Sequence, residues 1–267
     1  MWDCEEFNLD AYLNRVGYRG RDVDSHWKNL KELNRAHVEA IDFDNIDILL
    51  GKEISLHVGD IQDKICNRMR GGYCYEQNSL FAAALERMGY SVTGHGSRNL
   101  LHGNPLAAVT HAFLTVELDG ERWLVDTAFG RMGPYGPVNL SGAPAEQSGW
   151  LFKTCENDGT FRLLRSPDGG SWTALYSFTL QASYPSDFAV MHHYSSTHQH
   201  SKFVNGLVLQ KFSSGTFLKI NGSEQSKQTP EGTVKRQLTR HSLTRALEQD
   251  FGMTLTGEEV STLTALL

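Results

Sequence analysis

Up to about Gly89 the apolar residues recur every three to four positions, and from about Ser91 onward every second one, so the chain reads as helical first and extended afterwards. The run Leu9-Asp10-Ala11-Tyr12-Leu13-Asn14-Arg15-Val16 predicts a short helix ended by Gly17. Ser25 is placed to cap a longer helix carrying Trp27, Leu30, Leu33, Ala36 (or His37), Val38 and Ile41. Ile61, Ile65 and Met69 repeat every fourth place and suggest a third. A fourth starts near Cys74 and runs through Leu80, Phe81, Ala84, Leu85 and Met88 to Gly89. Strand-like runs then follow at Trp150–Lys153, Phe161–Leu164 and Trp172–Leu180, with Asp168-Gly169-Gly170 as one of the turns between them. A later hairpin pairs Leu207–Phe212 with Thr216–Ile220 around Ser213-Ser214-Gly215. Leu243, Leu247 and Phe251 mark a closing helix, and Thr256 with Glu259 is spaced as a capping box for a last one. The pattern is that of an α+β protein with an antiparallel sheet or barrel at its centre.

The chemistry concentrates where the two periodicities meet. Cys74 opens the fourth helix, where the helix dipole and free backbone N–H groups favour thiolate. Gly71 and Gly72 just before it permit a sharp turn and close approach of a substrate, and Arg70 adds positive charge. A lone cysteine there is also readable as a small buried hydrophobe. Downstream, His111–Leu118 and Glu121–Asp126 flank Asp119-Gly120, a strong two-residue hairpin signal. Pairing Leu118 with Glu121 puts Asp126 opposite Phe113, two places from His111 on one face, so that His111 and Asp126 are diagonal neighbours about 7–8 Å apart. Cys74, His111 and Asp126 are therefore the candidate nucleophile, base and orienting acid of a triad acting on a thioester or other activated carbonyl.

Composition narrows the setting. The 267 residues suffice for one large domain or a few lobes sharing a core, and 40% hydrophobic with 21% charged residues is ordinary for a soluble protein. A formal net charge of −6 without a basic stripe argues against nucleic acid as a partner. No apolar run approaches a membrane span, and the acidic start Met1-Trp2-Asp3-Cys4-Glu5-Glu6 is unlike a signal peptide, so a cytoplasmic protein is expected. Cys4, Cys66, Cys74 and Cys155 form no C-x-x-C pair, and no metal site is expected.

The run Arg70-Gly71-Gly72-Tyr73-Cys74-Tyr75-Glu76-Gln77-Asn78 resembles the nucleophile motif of the arylamine N-acetyltransferase family. Thr110-His111 and Val125-Asp126-Thr127-Ala128-Phe129-Gly130 are similar to the segments carrying that family's His and Asp. Further similarity lies at Ile41–Asp47, Leu175–Phe178, Tyr194–His198 and Ser201–Leu207, so it spans nearly the whole chain. The resemblance implies three lobes: a helical bundle over 1–90 with the nucleophile, a β-barrel over 91–190 with His and Asp, and an α/β lid over 191–267, around a cysteine-protease-like triad core. It implies ping-pong transfer of an acetyl or acyl group from coenzyme A, through an acyl-cysteine, to an arylamine, arylhydrazine or arylhydroxylamine. Acetyl-CoA would be a co-substrate, with no permanently bound cofactor. Phe43 and Phe129 would line the acceptor pocket, while Gly130, Arg131 and Phe203 would touch the donor.

Two departures stand out. Asp42-Phe43-Asp44-Asn45 replaces the family's usual Pro-Phe-Glu-Asn, and Thr127-Ala128-Phe129-Gly130-Arg131 replaces its usual Val-Gly-Phe-Gly. They motivate a runner-up, the related amide synthases that take a polyketide chain from an acyl carrier protein and close it onto the chain's own arylamine. A hydrolase using the same three residues, and a non-catalytic ligand-binding relative, also stay open. His192, His193, His198 and His200 are read as a surface strand and loop rather than as metal ligands.

Overall fold

The structure is a computed structural model that describes residues 2, 4–20, 27–130, 132–213, 216–229 and 232–267. In the N-terminal part lie α1 (Leu9–Val16), α2 (Trp27–Ala40), the two-residue strand β1 (Phe43–Asp44), and the short helices α3 (Ile46–Leu49) and α4 (Val58–Gln62). Next comes α5 (Cys74–Arg87). Gly17 ends α1 in the left-handed region, at φ +68°, as the sequence predicts. The residue expected to cap α2, Ser25, lies outside the described residues.

The central sheet contains β2 (Ser91–Asn99), β3 (Val109–Leu118), β4 (Glu121–Val125), β5 (Val138–Asn139), β6 (Ala145–Gln147), β7 (Trp150–Asn157), β8 (Thr160–Ser166) and β9 (Thr173–Phe178). They pair antiparallel in the order β5-β4-β3-β2-β9-β8-β7-β6. The sheet curls into a nearly closed barrel: across the seam, the Thr154 hydroxyl of β7 donates to the Asn139 carbonyl of β5 at 3.2 Å. Phe113, Leu124, Phe152, Leu163, Leu175 and Tyr176 fill its interior. The neighbouring positions of β3, namely Ala112, Leu114 and Val116, face the other way and pack in one cluster with Leu80, Phe81 and Ala84 of α5. Buried on both faces, β3 seats α5, which carries Cys74, directly against the barrel.

After the barrel come α6 (Pro185–Thr197) and α7 (Lys202–Asn205), then the strands β10 (Val208–Ser213), β11 (Thr216–Asn221), β12 (Glu224–Thr229) and β13 (Gly232–Gln237). Strand β1 joins these at the edge, giving a second antiparallel sheet ordered β1-β10-β11-β12-β13. The chain ends with α8 (Arg240–Arg245) and α9 (Gly257–Thr264). Leu243, Leu247 and Phe251 pack beneath that sheet against Leu209 and Ile220. Thr256 and Glu259 form the expected capping box, with backbone-to-side-chain bonds of 2.9 and 3.2 Å.

The structure corrects several local expectations. Met69 is not on a helix face: α4 passes into a single π-turn over Asp63–Asn67, and Met69 follows in the left-handed region, 63% exposed. The segment with His192 and His193 is helix α6, not a strand, and His198 and His200 follow in the turn beyond it. In the β10–β11 hairpin, residues 214 and 215 of the expected turn lie outside the described residues. No helix among the described residues is long and apolar enough to cross a membrane.

Candidate active site

Two backbone hydrogen bonds, a close approach at Gly71 and the Gln77 amide place the thiol of Cys74. Gly72 N–H donates to the Asp42 carbonyl at 3.2 Å, and Asp44 N–H donates to the Gly72 carbonyl at 3.0 Å, so the loop before α5 runs as a short parallel bridge beside β1. A Cβ on Gly71 would lie 2.3 Å from both the Asp42 carbonyl and an Asp44 carboxylate oxygen, which only glycine avoids. The Gln77 amide donates to the carbonyls of Gly72 and Asp42 at 2.7 and 3.0 Å. Its oxygen faces Nε2 of buried His37 at 3.3 Å, so Nε2 carries the proton and Nδ1 accepts from the Tyr12 hydroxyl at 2.9 Å. Burial holds the His37 pKa down at about 3, so this ring stays neutral.

Behind Cys74, Glu76 accepts the Tyr73 N–H at 3.1 Å and an ion pair from Lys64 at 2.8 Å, capping the helix. Lys64 also meets Asp47 at 2.9 Å. Arg70, expected to lend charge to the thiol, is committed instead to Asp47 at 3.1 Å.

The hairpin register is the one the sequence predicts: Leu118 pairs Glu121 and Leu114 pairs Val125. Asp119 and Gly120 occupy the left-handed region at φ +53° and +77°, as a two-residue hairpin turn requires. His111 Nε2 and Asp126 Oδ2 lie 2.7 Å apart, and both residues are buried, 6% and 1% exposed. Burial disfavours the imidazolium, but the Asp126 charge and hydrogen bond outweigh it, with a smaller contribution from the Cys74 side chain. The balance raises the His111 pKa to about 9.

Sequence reasoning assigned no role to two residues that complete this arrangement. The Tyr176 hydroxyl donates to Asp126 Oδ2 at 3.0 Å, while Asp126 Oδ1 accepts from the Ala128 N–H at 3.0 Å. Burial, then the Asp126 charge, push the Tyr176 pKa well above its ordinary value, so it acts only as a neutral donor. Asn78, one turn beyond Cys74 on α5, donates to the Ala112 carbonyl at 2.8 Å. Its oxygen takes both the N–H and the hydroxyl of Thr127 at 3.2 Å. One buried amide thus ties the helix carrying Cys74 to the strand carrying His111 and to the residue after Asp126. Both lay inside runs quoted above; inward alternation in β9 was the available signal for Tyr176, and helical spacing from Cys74 for Asn78.

Cys74 and His111 open onto a cavity of about 310 Å³ whose walls include Phe43, Phe129 and Phe203. The Phe129 ring stands edge-on to His111 at 4.9 Å, and Phe43 and Phe203 are 5.9 Å apart. Gly130 lines a narrower neighbouring cavity of about 30 Å³ with Gln210, and Arg131 lies outside the described residues. Asp42 lines neither cavity; burial raises its pKa to about 7, against the opposing charge of Lys211. His200 lines the main cavity and His192 packs on Tyr73 and Tyr75, away from the metal-type cluster the sequence invites. Among the described residues no group of three or more metal-ligating side chains assembles.

A helix-borne thiol thus stands beside a buried imidazole–carboxylate pair at the wall of the cavity. The N-acetyltransferase family profile matches residues 27–260, which defines the chain as a transferase of that kind. The arylamine N-acetyltransferase of Mycobacterium tuberculosis is 31% identical over 253 residues, covering 92% of this chain and 89% of that protein. The crystal structure of Nocardia farcinica arylamine N-acetyltransferase superposes with a TM-score of 0.92 at 34% identity, over 98% of this chain and 95% of that one. That of the Mycobacterium marinum enzyme in complex with CoA gives 0.90 at 28% identity, over 97% and 99%. The chain belongs to the arylamine N-acetyltransferase family.

Proposed function

We propose that the protein transfers an acetyl group from acetyl-CoA to an arylamine, arylhydrazine or arylhydroxylamine through a thioester on Cys74. The observation that carries this reading is the buried His111, bonded to Asp126 on one side and partnered with Cys74 on the other. In the first half-reaction the sulfur anion attacks the thioester carbonyl, a carbon–sulfur bond forms, and the coenzyme thiol leaves with the proton held on His111. In the second, the amine attacks the acyl-cysteine carbonyl, His111 takes the amine's proton, and the Cys74 thiolate departs. Asp126 holds the ring in one tautomer, and Tyr176 holds Asp126. Phe43 and Phe129 would flank the acceptor ring, and Phe203, with the Gly130 loop, would guide the donor.

A cavity of about 310 Å³ accommodates a substituted benzene ring and favours small acceptors over the polyketide chain that the amide-synthase reading requires. Asp42, part of one of the two departures that motivated that reading, does not line the cavity. Incubation with acetyl-CoA alone should add 42 Da to the peptide containing Cys74, the mass of an acetyl group replacing hydrogen, and an arylamine should then remove it. A C74S variant should remain unlabelled. An unmodified wild-type peptide would refute the acyl-enzyme, and loss of the label at the same rate with and without amine would identify a hydrolase.

A further inference from the structure

The chain carries a formal charge of −6, yet the wall of the Cys74 cavity contains no Asp or Glu among the described residues. It contains Lys202, His102 and His200 instead, brought there by α7, by the loop following β2 and by the turn following α6. Lys202 is exposed as a residue, but its ammonium lies 4.8 Å over the ring of buried Phe203. Enough protein surrounds it that burial draws its pKa below the ordinary lysine value, the Cys74 sulfur acting in the opposite direction. Among the described residues no carboxylate pairs with it. Buried Lys64, by contrast, is matched by Asp47 and Glu76. An unmatched, partly desolvated cation costs free energy that an incoming anion would recover. His102 and His200 line the same wall, and each imidazole carries an N–H that can donate to an anion there.

Resting on the acyl-transfer reading above, we propose that Lys202, with His102 and His200, forms an anion subsite at the mouth of the cavity. The acceptors this chain acetylates best are then arylamines that bear a carboxylate. The amine enters toward Cys74 between Phe43 and Phe129, and the carboxylate stays at the basic rim.

The test uses the whole chain with p-nitrophenyl acetate as donor, so that no donor phosphate competes. In a ping-pong reaction kcat/KM for the acceptor reports the second half-reaction alone. Wild type should prefer 4-aminobenzoate to its uncharged methyl ester. K202Q should lower that ratio roughly 3- to 10-fold, as expected for one partly exposed charge-assisted contact. K202R should preserve most of it. A wild-type preference for the ester, or a ratio that K202Q leaves unmoved, would overturn the subsite. So would a K202Q effect confined to acetyl-CoA as against p-nitrophenyl acetate, because the cation would then serve the donor's phosphates. Absence of acetylated Cys74 in wild type is a separate result and would sink the acyl-transfer reading itself.

Discussion

At the scale of single residues, the acyl-transfer reading turns on the protonation state of His111. With its pKa raised to about 9, the ring is an imidazolium throughout the neutral range. A pKa raised on folding stabilises the native state fully below the unfolded value near 6.5, and this contribution disappears as pH climbs through about 9. A rise from 6.5 to about 9 corresponds to on the order of 3 kcal/mol. D126N removes the dominant favourable partner, leaving burial to depress the ring. The alkaline limb of the kcat/KM profile should move to lower pH, kcat should fall at least about 100-fold, and the loss of denaturant stability between pH 6.5 and 9 should shrink. An alkaline limb that stays in place would show that His111 does not control it. Y176F keeps the ring and deletes one hydrogen bond to Asp126, and should cost about 1–2 kcal/mol in kcat/KM, read at constant pH with circular dichroism unchanged.

At the level of elements, Asn78 does the joining. N78A leaves the Ala112 carbonyl and the Thr127 N–H buried without partners. It should destabilise the protein by roughly 2–4 kcal/mol in urea titrations and lower kcat even where folding is complete. A stability loss with kcat intact would make the residue purely structural. Elements with strong apolar rhythm were legible in advance: α1, α2, α5, the β3–β4 hairpin and the strands β7 to β11. The hairpin register carried His111 to Asp126 because two-residue turns fix pairing. Other elements left no such trace. Helix α6 has no clear apolar stripe; Pro185 opens it and Asp187 bonds back to Tyr184 N–H at 2.8 Å, a start signal that its string of histidines obscured. Strand β13 is exposed along its whole length and β12 is mostly polar, so no alternation marked them. Helix α4 and its π-turn kept the fourfold spacing of Ile61 and Ile65 while the chain left the helix before Met69. The cavity, built from five separate segments, has no sequence-local signature, and Lys202 could not be seen in it.

For the molecule as a whole, Asn45 links the segment before α3 to the one that runs from α7 into β10. Its amide donates to the carbonyls of Phe203 and Gly206 at 2.7 and 2.8 Å, and its oxygen accepts from Val208 N–H at 2.7 Å. All three partners belong to the segment that presents Phe203 to the cavity. N45A should lower stability by about 2–4 kcal/mol and raise KM for acetyl-CoA more than it lowers kcat; a change in kcat alone would place the effect at the nucleophile. The adjoining strand β1 pairs Phe43 with Gln210 on one side and bridges Gly72 on the other.

That double duty bears on how the chain matures as it is synthesised. The β1–β10 pairing beside the Cys74 loop forms only when residues near 210 have left the ribosome, so on the acyl-transfer reading a nascent chain ending before β10 should show no acyl transfer although it carries Cys74, His111 and Asp126. Cleavage after the barrel would likewise yield two fragments that work together or not at all.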